Sequence, residues 1–428
     1  MRLDGAHFGA LLGLGNLLAR RGYRRAARLS YLEAAKAAPH NPVPHVNAGN
    51  TFLDEGDLTA ARFHFERALQ LEPALPEAHQ GVSYVFARLG DEAAAQRHRD
   101  AGFRDRAVTA FGYRGEGAAT RVALLASVLG GNVGTSDILD DRSFDVTRVF
   151  VEYYSERRLP ECDVVFNAIG DADRCGDALR VTEALVRNGS APAINHPAAV
   201  LRTPRAAVAQ RCSRIVGVRA PRTLRAPRAA LEREPEKALA EGGLRFPVLL
   251  RAPGFHTGMY LERAMDARDA SAVAARLPGD ELLAIEYLDA RGNDGAYRKY
   301  RVMWIDGRLR PLHLAIADEW KVHYFTAAMA ENATRRSEEQ RFLGDMESTL
   351  GPTAIAALRA LGEALGLDYG GIDFAIGSRG EVLLFEANAT MVIPSREVDE
   401  RLAYRRPHLA AAIEATRAMV RSRAVRSA

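Results

Sequence analysis

The chain has 428 residues, of which 47% are apolar and 26% charged, ordinary values for a soluble globular protein of two or three domains. Its 58 basic residues against 54 acidic ones leave a formal net charge of +4, too small an excess to demand a nucleic-acid partner. Cys162, Cys175 and Cys212 form no CxxC pair and no uncharged apolar run is long enough to cross a bilayer, which points to a reduced, cytoplasmic protein without structural zinc.

The first stretch, MRLDGAHFGALLGLGNLLARRG, has a short apolar run but no small-residue cleavage site, and its aliphatic residues keep helical spacing, so it reads as a helix. An internal repeat follows. Gly22, Gly56 and Gly90 stand 34 residues apart, as do Ala26, Ala60 and Ala94; Pro39 and Pro73, Pro42 and Pro76, His45 and His79, and Tyr31 and Phe65 keep the same offset. Each unit reads helix, glycine turn, helix, proline. The period resembles the tetratricopeptide family, in which small alanines let paired helices approach and each pair buries a face on the next. Three units, the last degenerate at Arg99, fill an all-α domain over 1–110. Such a concave helical surface serves a peptide or protein substrate, a partner protein, or a second copy of the chain.

From residue 119 the texture changes. TRVALLASVLGGNVGTSD reads as a buried strand and a glycine loop, CDVVFNAIGDAD as a second strand and APAINHP as a third. Between the last two, GDALRVTEALVRNG reads as a helix stopped by Asn-Gly. Strand–helix–strand alternation predicts a parallel, doubly wound α/β domain over 119–200. GGNVG lacks the GxGxxG order and has no acid at the next strand end, so it reads as a sharp turn rather than a dinucleotide loop.

Over 201–428 the pattern is α+β. RFPVLLRAPGFHTGMYLER predicts two strands around a glycine loop, ELLAIEYL a buried strand, and KYRVMWIDGRLRPLHLAIA a hairpin turning at Asp306 and Gly307. GPTAIAALRALGEALGL is a helix opened by Pro352 and closed by Gly366, with Ile355, Leu358, Leu361 and Leu365 facing inward. DYGGIDFAI and EVLLFEANAT form a second hairpin, and RAMVRSRAVRSA reads as a fraying helix and solvated tail.

That second hairpin carries Asp373, Glu386 and Asn388 among apolar neighbours, and a buried carboxylate needs a cation, either an arginine or a metal ion. A turn centred between Ser378 and Arg379 sets Asp373 opposite Leu384, so that all three polar residues project to one face. Three oxygen donors on one face suit Mg²⁺, and a register slip of one residue turns Asp373 away from Glu386.

On these residues, and on the order of its parts, the segment from about 119 to 400 resembles the ATP-grasp superfamily: a small α/β domain, then two α+β lobes that clamp ATP between antiparallel sheets. The family's Asp and Glu-x-Asn signature matches Asp373, Glu386 and Asn388, which the resemblance implies as ligands of two Mg²⁺ ions, with Mn²⁺ as an alternative. It also implies phosphate contacts from Arg205 and Arg251, each standing where the family usually has lysine, and from Gly254 and Gly258 in the glycine loop. Glu286, Tyr287, Leu288 and Asp289 take the place of the adenine hinge and ribose contact. Arg301 and Lys321 stand as catalytic cations near the γ-phosphate and the reacting carboxylate, with His256, Lys299 and His323 toward the substrate. Lys299 occupies a position that is commonly acidic in the family.

The activity so implied is carboxylate–amine ligation. Attack of a carboxylate on the γ-phosphoryl of ATP makes an acyl phosphate with a good leaving group, which an amine then displaces. The sequence offers no Ser/His/Asp or Cys/His nucleophile arrangement in competition with this reading. The implied partners are a small-molecule carboxylate and an amine, a peptide or protein held by the helical repeats, and a second subunit in a homodimer. The arginines at 205 and 251 keep a different class in view, a non-catalytic scaffold that senses nucleotide.

Overall fold

The computed structural model describes residues 7–253, 258–324, 327–394, 397 and 399–424; Gly254 and His256 lie outside the described residues. Six helices lead the chain, α1 (Phe8–Arg20), α2 (Arg24–Ala37), α3 (Val43–Glu55), α4 (Leu58–Leu71), α5 (Pro76–Leu89) and α6 (Glu92–Phe103). Three strands follow, β1 (Val108–Ala110), β2 (Thr120–Ala126) and β3 (Phe144–Phe150). The chain divides into two compact units. One runs to Phe111 and adds Ala126–Gly130 and Thr147–Glu156; the other comprises Gly112–Leu125, Gly131–Val146 and the chain from Arg157 onward. The first unit thus takes in part of the stretch that reads in sequence as α/β.

Within the first unit, Gly22, Gly56 and Gly90 take φ of 81°, 82° and 82°, a left-handed turn that glycine adopts without a Cβ clash. Asp57 and Asp91 then cap α4 and α6 by accepting from the N–H of Ala60 and Ala94. Consecutive helices pack on one another, and Ala27, Ala61 and Ala95 are fully buried where they meet. Tyr31 and Phe65 fill the repeat's aromatic position. Arg99 takes that position in the third unit, is 2% exposed, and pairs with Glu92. β1 runs antiparallel to β3, with Val108 opposite Val149.

In the second unit β2, β4 (Val164–Asn167) and β5 (Ala193–Ile194) pair in parallel, as predicted, with α7 (Gly176–Arg187) between the last two. Next come α8 (Pro197–Val200), α9 (Arg205–Cys212) and β6 (Val218–Arg219). Strands β7 (Thr223–Pro227), β8 (Val248–Arg251), β9 (Leu261–Ala264) and β10 (Glu281–Glu286) form an antiparallel sheet in the order β7–β10–β8–β9. The helices α10 (Arg228–Arg233), α11 (Pro235–Glu241) and α12 (Ala267–Arg276) share its core, built on Leu231, Leu239, Val248, Leu250 and Leu282.

The remaining elements are β11 (Tyr297–Ile305), β12 (Arg308–Ala317), α13 (Ala333–Gly344), α14 (Met346–Leu365), β13 (Tyr369–Ile376), β14 (Val382–Asn388) and α15 (Arg406–Arg423). They build a second sheet in the order β12–β11–β13–β14–β6. Asp306 and Gly307 turn the first hairpin, with φ of 49° and 73°. Gly351 breaks α14 so that Pro352 starts its second half, and Gly366 ends it. One core joins this sheet to the parallel strands, with Val122, Phe166, Met303, Tyr369 and Leu409 among its members. Asn195 pins the same junction, its amide donating to the Tyr369 carbonyl at 2.8 Å and accepting from the N–H of Asp368 and Tyr369. Up to residue 424 the last helix is packed rather than frayed, and residues 425–428, the rest of the predicted tail, lie outside the described residues. α15 buries Met419 and Val420, and Arg423 bonds Asp306 at 2.8 Å and Asp368 at 2.9 Å.

Candidate functional site

The last hairpin sets the geometry. Ile376 lies opposite Val382, Ala375 opposite Leu383 and Phe374 opposite Leu384, after which the register shifts and Asp373 faces Glu386 while Gly371 faces Asn388. The predicted pairing of Asp373 with Leu384 is therefore corrected. The turn centres on Arg379, one half-step later than predicted, and Phe385 is a bulge in β14. Each change moves the pairing by one residue and together they move it by two, so the polar residues stay on one face.

On β11, Arg301 lies opposite Asp373 on one side and opposite His313 of β12 on the other. A row of ionisable residues thus crosses four strands: His313, Arg301, Asp373, Glu386. Arg301 grips Asp373 with both arms, Nε to Oδ1 at 2.5 Å and Nη2 to Oδ2 at 2.7 Å, and Lys299 Nζ lies 3.3 Å from Oδ2. Asp373 is only 3% exposed. Burial pushes its carboxyl up, but the charges of Arg301 and Lys299 outweigh burial and hold it well below the usual range. Glu386 Oε1 accepts from Arg205 at 2.5 Å and from the Asn388 amide at 2.7 Å, while Asn388 Oδ1 accepts from the N–H and hydroxyl of Thr390. Of the two cations that the sequence leaves open for these acids, the structure holds arginine.

Beside the row lies a cleft of about 610 Å³, counted with the solvent at its mouth. Val208, Pro221, Ile285 and Leu384 give it an apolar wall; Asp171, Asp173, Thr203, Arg205, Glu386 and Thr390 line the rest. Such a lining suits a ligand with an apolar part and a charged part. The loop after β4 reaches the cleft because Gly170 sits against β14's end, where a Cβ would lie 2.8 Å from the Ala389 backbone. Asp173 in that loop accepts from the backbone N–H of Arg205 at 2.9 Å, fixing the start of α9. Arg251, at the end of β8, is 7% exposed. Burial and the charge of Arg205 lower its pKa to about 10, against the opposing pull of Glu386, Asp171 and Asp173.

Other predicted residues sit elsewhere. Glu286 turns its carboxylate to Arg219 at 3.0 Å and to the N–H of Arg222 at 3.1 Å. Tyr287 lies 3.3 Å from Arg263, Leu288 is buried against Ala375 and Leu383, and Asp289 pairs with Arg291 at 3.1 Å. Lys321 donates to the Leu261 carbonyl at 3.0 Å, and its chain passes Gly258 so closely that a Cβ there would lie 3.0 Å from Lys321 Cε. His323 is half-buried, with its pKa lowered by burial and by Lys299 and Arg301. Asp171, Asp173, Thr203, Thr390 and His313 escaped the sequence reading. The acidic pair was visible in CDVVFNAIGDAD, directly after a strand, where α/β sheets place ligand loops.

The donor set has the chemistry of a hard-cation site, two carboxylates and an amide on one face. Arg301 occupies one acceptor site on each Asp373 oxygen, and the Asn388 amide presents its nitrogen, not its oxygen, to Glu386. Among the described residues no group of three or more His, Cys, Asp or Glu gathers as a metal cluster.

No family model and no curated protein matches the chain. Solved structures do. A RimK-domain ATP-grasp protein from Sphaerobacter thermophilus is 18% identical with a TM-score of 0.42, over 70% of this chain and 99% of its own. VanG D-Ala:D-Ser ligase from Enterococcus faecalis is 13% identical with a TM-score of 0.44, over 72% of this chain and 100% of its own. MamA MSR-1 C2 is 20% identical with a TM-score of 0.22, over 23% of this chain and 57% of its own.

Proposed function

We propose that this chain is an ATP-dependent carboxylate–amine ligase that works through an acyl phosphate and releases ADP and phosphate. One observation carries the reading: Arg301 on Asp373 and Arg205 on Glu386, side by side on one sheet face at a cleft with an apolar wall. Two internal ion pairs of this kind can be exchanged, as a set, for a magnesium–triphosphate. The carboxylates of Asp373 and Glu386, with Asn388, would hold the ions, and the guanidinium groups they release would turn to phosphate. Bound Mg²⁺ supplies neutralisation of charge on the phosphate oxygens. Arg301, Arg205 and Arg251 hold the transferring phosphoryl group and the reacting carboxylate in line. Arg301 then stabilises the oxyanion that forms when the amine attacks. Lys321, held on the Leu261 carbonyl beside β9 with Gly258 close by, would reach toward the phosphates, where exclusion of water protects the acyl phosphate.

The exchange has a signature in binding. Mg²⁺ alone and a nonhydrolysable ATP analogue alone should each bind weakly by calorimetry, and each should strengthen the other. Glu386→Gln should remain folded and lose on the order of 100-fold or more in ADP release with acid and amine panels. Binding of both ligands without ADP release across broad panels would favour the nucleotide-sensing scaffold, and no binding by folded protein would end both readings.

The helical unit is proposed to recruit a peptide or protein acceptor. Leu29 and Phe63 are 65% and 63% exposed at positions one repeat apart, an apolar pair on successive units. Replacing both with glutamate should raise KM for a peptide acceptor and leave KM for a small amine unchanged; equal effects on the two would remove the helices from recognition.

A further inference from the structure

His313 is 1% exposed, and neither of its ring nitrogens has a hydrogen-bond partner among the described residues. A buried imidazole with both nitrogens unmet is costly, and a leucine would fill the same space without that cost. The surrounding polar groups do not need it. Arg405 bonds Glu339 at 2.7 Å and Glu397 at 3.0 Å, and the Tyr324 hydroxyl lies 3.3 Å from Glu397, all without His313. The Tyr324 ring rests on the imidazole at 4.5 Å and holds it in place. On the other side the residue in register is Arg301. The charges facing the ring are those of Arg301, Lys299 and Arg405, with Asp373 as the carboxylate.

A guanidinium only donates, and a neutral imidazole offers one acceptor nitrogen. Arg301 has its acceptor in Asp373 for as long as Asp373 is not needed elsewhere. Once Asp373 turns to a cation, the Arg301 N–H groups that do not reach the phosphate lose their acceptor inside a largely buried site, and they either find another or compete with the ion for the carboxylate.

We propose that His313 is that second acceptor: a positioning residue that takes an N–H of Arg301 when Asp373 lets go, so that the ion keeps Asp373 and the rest of the guanidinium faces the incoming anion. This rests on the metal–nucleotide reading above. The unmet nitrogens of His313 are then the mark of a residue whose bond belongs to the liganded state, and Arg301 moves between two acceptors on its two neighbouring strands.

The test is calorimetric titration of Mg²⁺ into the full chain held at saturating nonhydrolysable ATP analogue, for the wild type, His313→Leu and His313→Gln. The leucine variant should fold at least as well as wild type and bind Mg²⁺ roughly tenfold more weakly, the loss of one charge-assisted hydrogen bond. The glutamine variant keeps an acceptor oxygen and should recover most of that affinity. A side chain that only fills space gives the reverse order, since leucine then matches wild type and a buried amide does not, and that result overturns the proposal. A second reading needs no variant with an altered core. In histidine-¹⁵N-labelled wild type, one ring nitrogen should change from a free to a hydrogen-bonded acceptor when Mg²⁺ and the analogue are added together. A full set of unshifted imidazole signals in protein that binds both ligands overturns the proposal while leaving the ligase reading standing. Wild type that binds neither ligand overturns both.

Discussion

Two regions of this molecule bury ionisable groups and resolve the cost in opposite ways. In the helical unit, His45 and His64 set their Nδ1 atoms 3.0 Å apart, and one repeat later His79 and His98 do the same at 2.8 Å. Each pair belongs to a duplicated stack, with Arg28 over Phe52 and Phe52 on His64, then Arg62 over Phe86 and Phe86 on His98. Where two Nδ1 atoms face each other at this distance, one must donate and the other accept. In the second pair the Pro73 carbonyl lies 3.0 Å from His79 Nε2 and only accepts, so that nitrogen donates. In the sheet unit the row through Arg301, Asp373 and Glu386 keeps every charge and pairs it. Burial by itself therefore does not decide whether a group is charged; the partner does. A neighbouring base disfavours the charge on a base, whereas an acid and a base favour each other's.

The charged solution is the more fragile to single changes. Asp373→Ala strands Arg301 and Lys299 beside a buried face, and should cost about 3–5 kcal/mol in chemical denaturation. The double variant Asp373→Leu with Arg301→Met, which removes both charges, should regain most of that loss while abolishing binding of Mg²⁺ and ATP analogue. If the double variant is as unstable as the single one, the stability of this region comes from packing around the pair and the contrast with the histidines weakens.

The two regions also differ in how far they were legible from sequence. The helical unit is written in a 34-residue period, and the glycines, buried alanines and the shift from ring to guanidinium at Arg99 all follow it. The pairing of His64 with His45 was within reach too, since His64 and His98 keep the same offset as His45 and His79. In the sheet unit the strands and the Asp306–Gly307 turn were legible, because local turn chemistry and apolar runs determine them. The hairpin register was not, since a bulge at Phe385 leaves no mark in composition, and the shared face survived only because two single-residue errors cancelled. The identity of the cation on Asp373 depended on which residue β11 places opposite it, a long-range pairing that no spacing encodes. Asp171 and Asp173 were missed because their place at the cleft depends on Gly170 meeting the end of a strand more than 200 residues later.

The neutral solution predicts a pH dependence. Burial and the neighbouring His45 lower the pKa of His64 to about 4, and His45 is lowered by burial and by Arg67; in the second pair His98 is lowered by burial, His79 and Arg97, with Glu66 opposing. A folded-state value below the unfolded one means that the unfolded chain binds more protons between about pH 4 and 6.5. Stability is then fully present above pH 6.5 and falls as pH drops toward 4. After discounting for partial exposure, the first pair contributes roughly 1–2 kcal/mol of that loss. Thermal unfolding of wild type and His64→Leu between pH 4 and 7 should show the curves converging as pH falls. A constant gap between them would mean that the pair does not titrate as a unit.

The smallest effect sharpens the comparison most, because it asks whether the duplicated stack is more than its histidines. Arg62 lies 4.8 Å from the centre of the Phe86 ring and also bonds Glu66 at 2.7 Å, an exposed pair within one helix. The exposed ion pair is worth little, since both ends stay in water and salt screens them. A guanidinium over a ring that also stacks with His98 polarises that ring, so Arg62→Gln should cost about 0.5–1 kcal/mol. If the contact is the cation on the ring, the cost should persist in 0.5 M salt and vanish in a Phe86→Leu background. If Glu66 carries it, salt should erase the cost and the Phe86 background should not, and the stack would then reduce to two histidine pairs with arginines that happen to lie nearby.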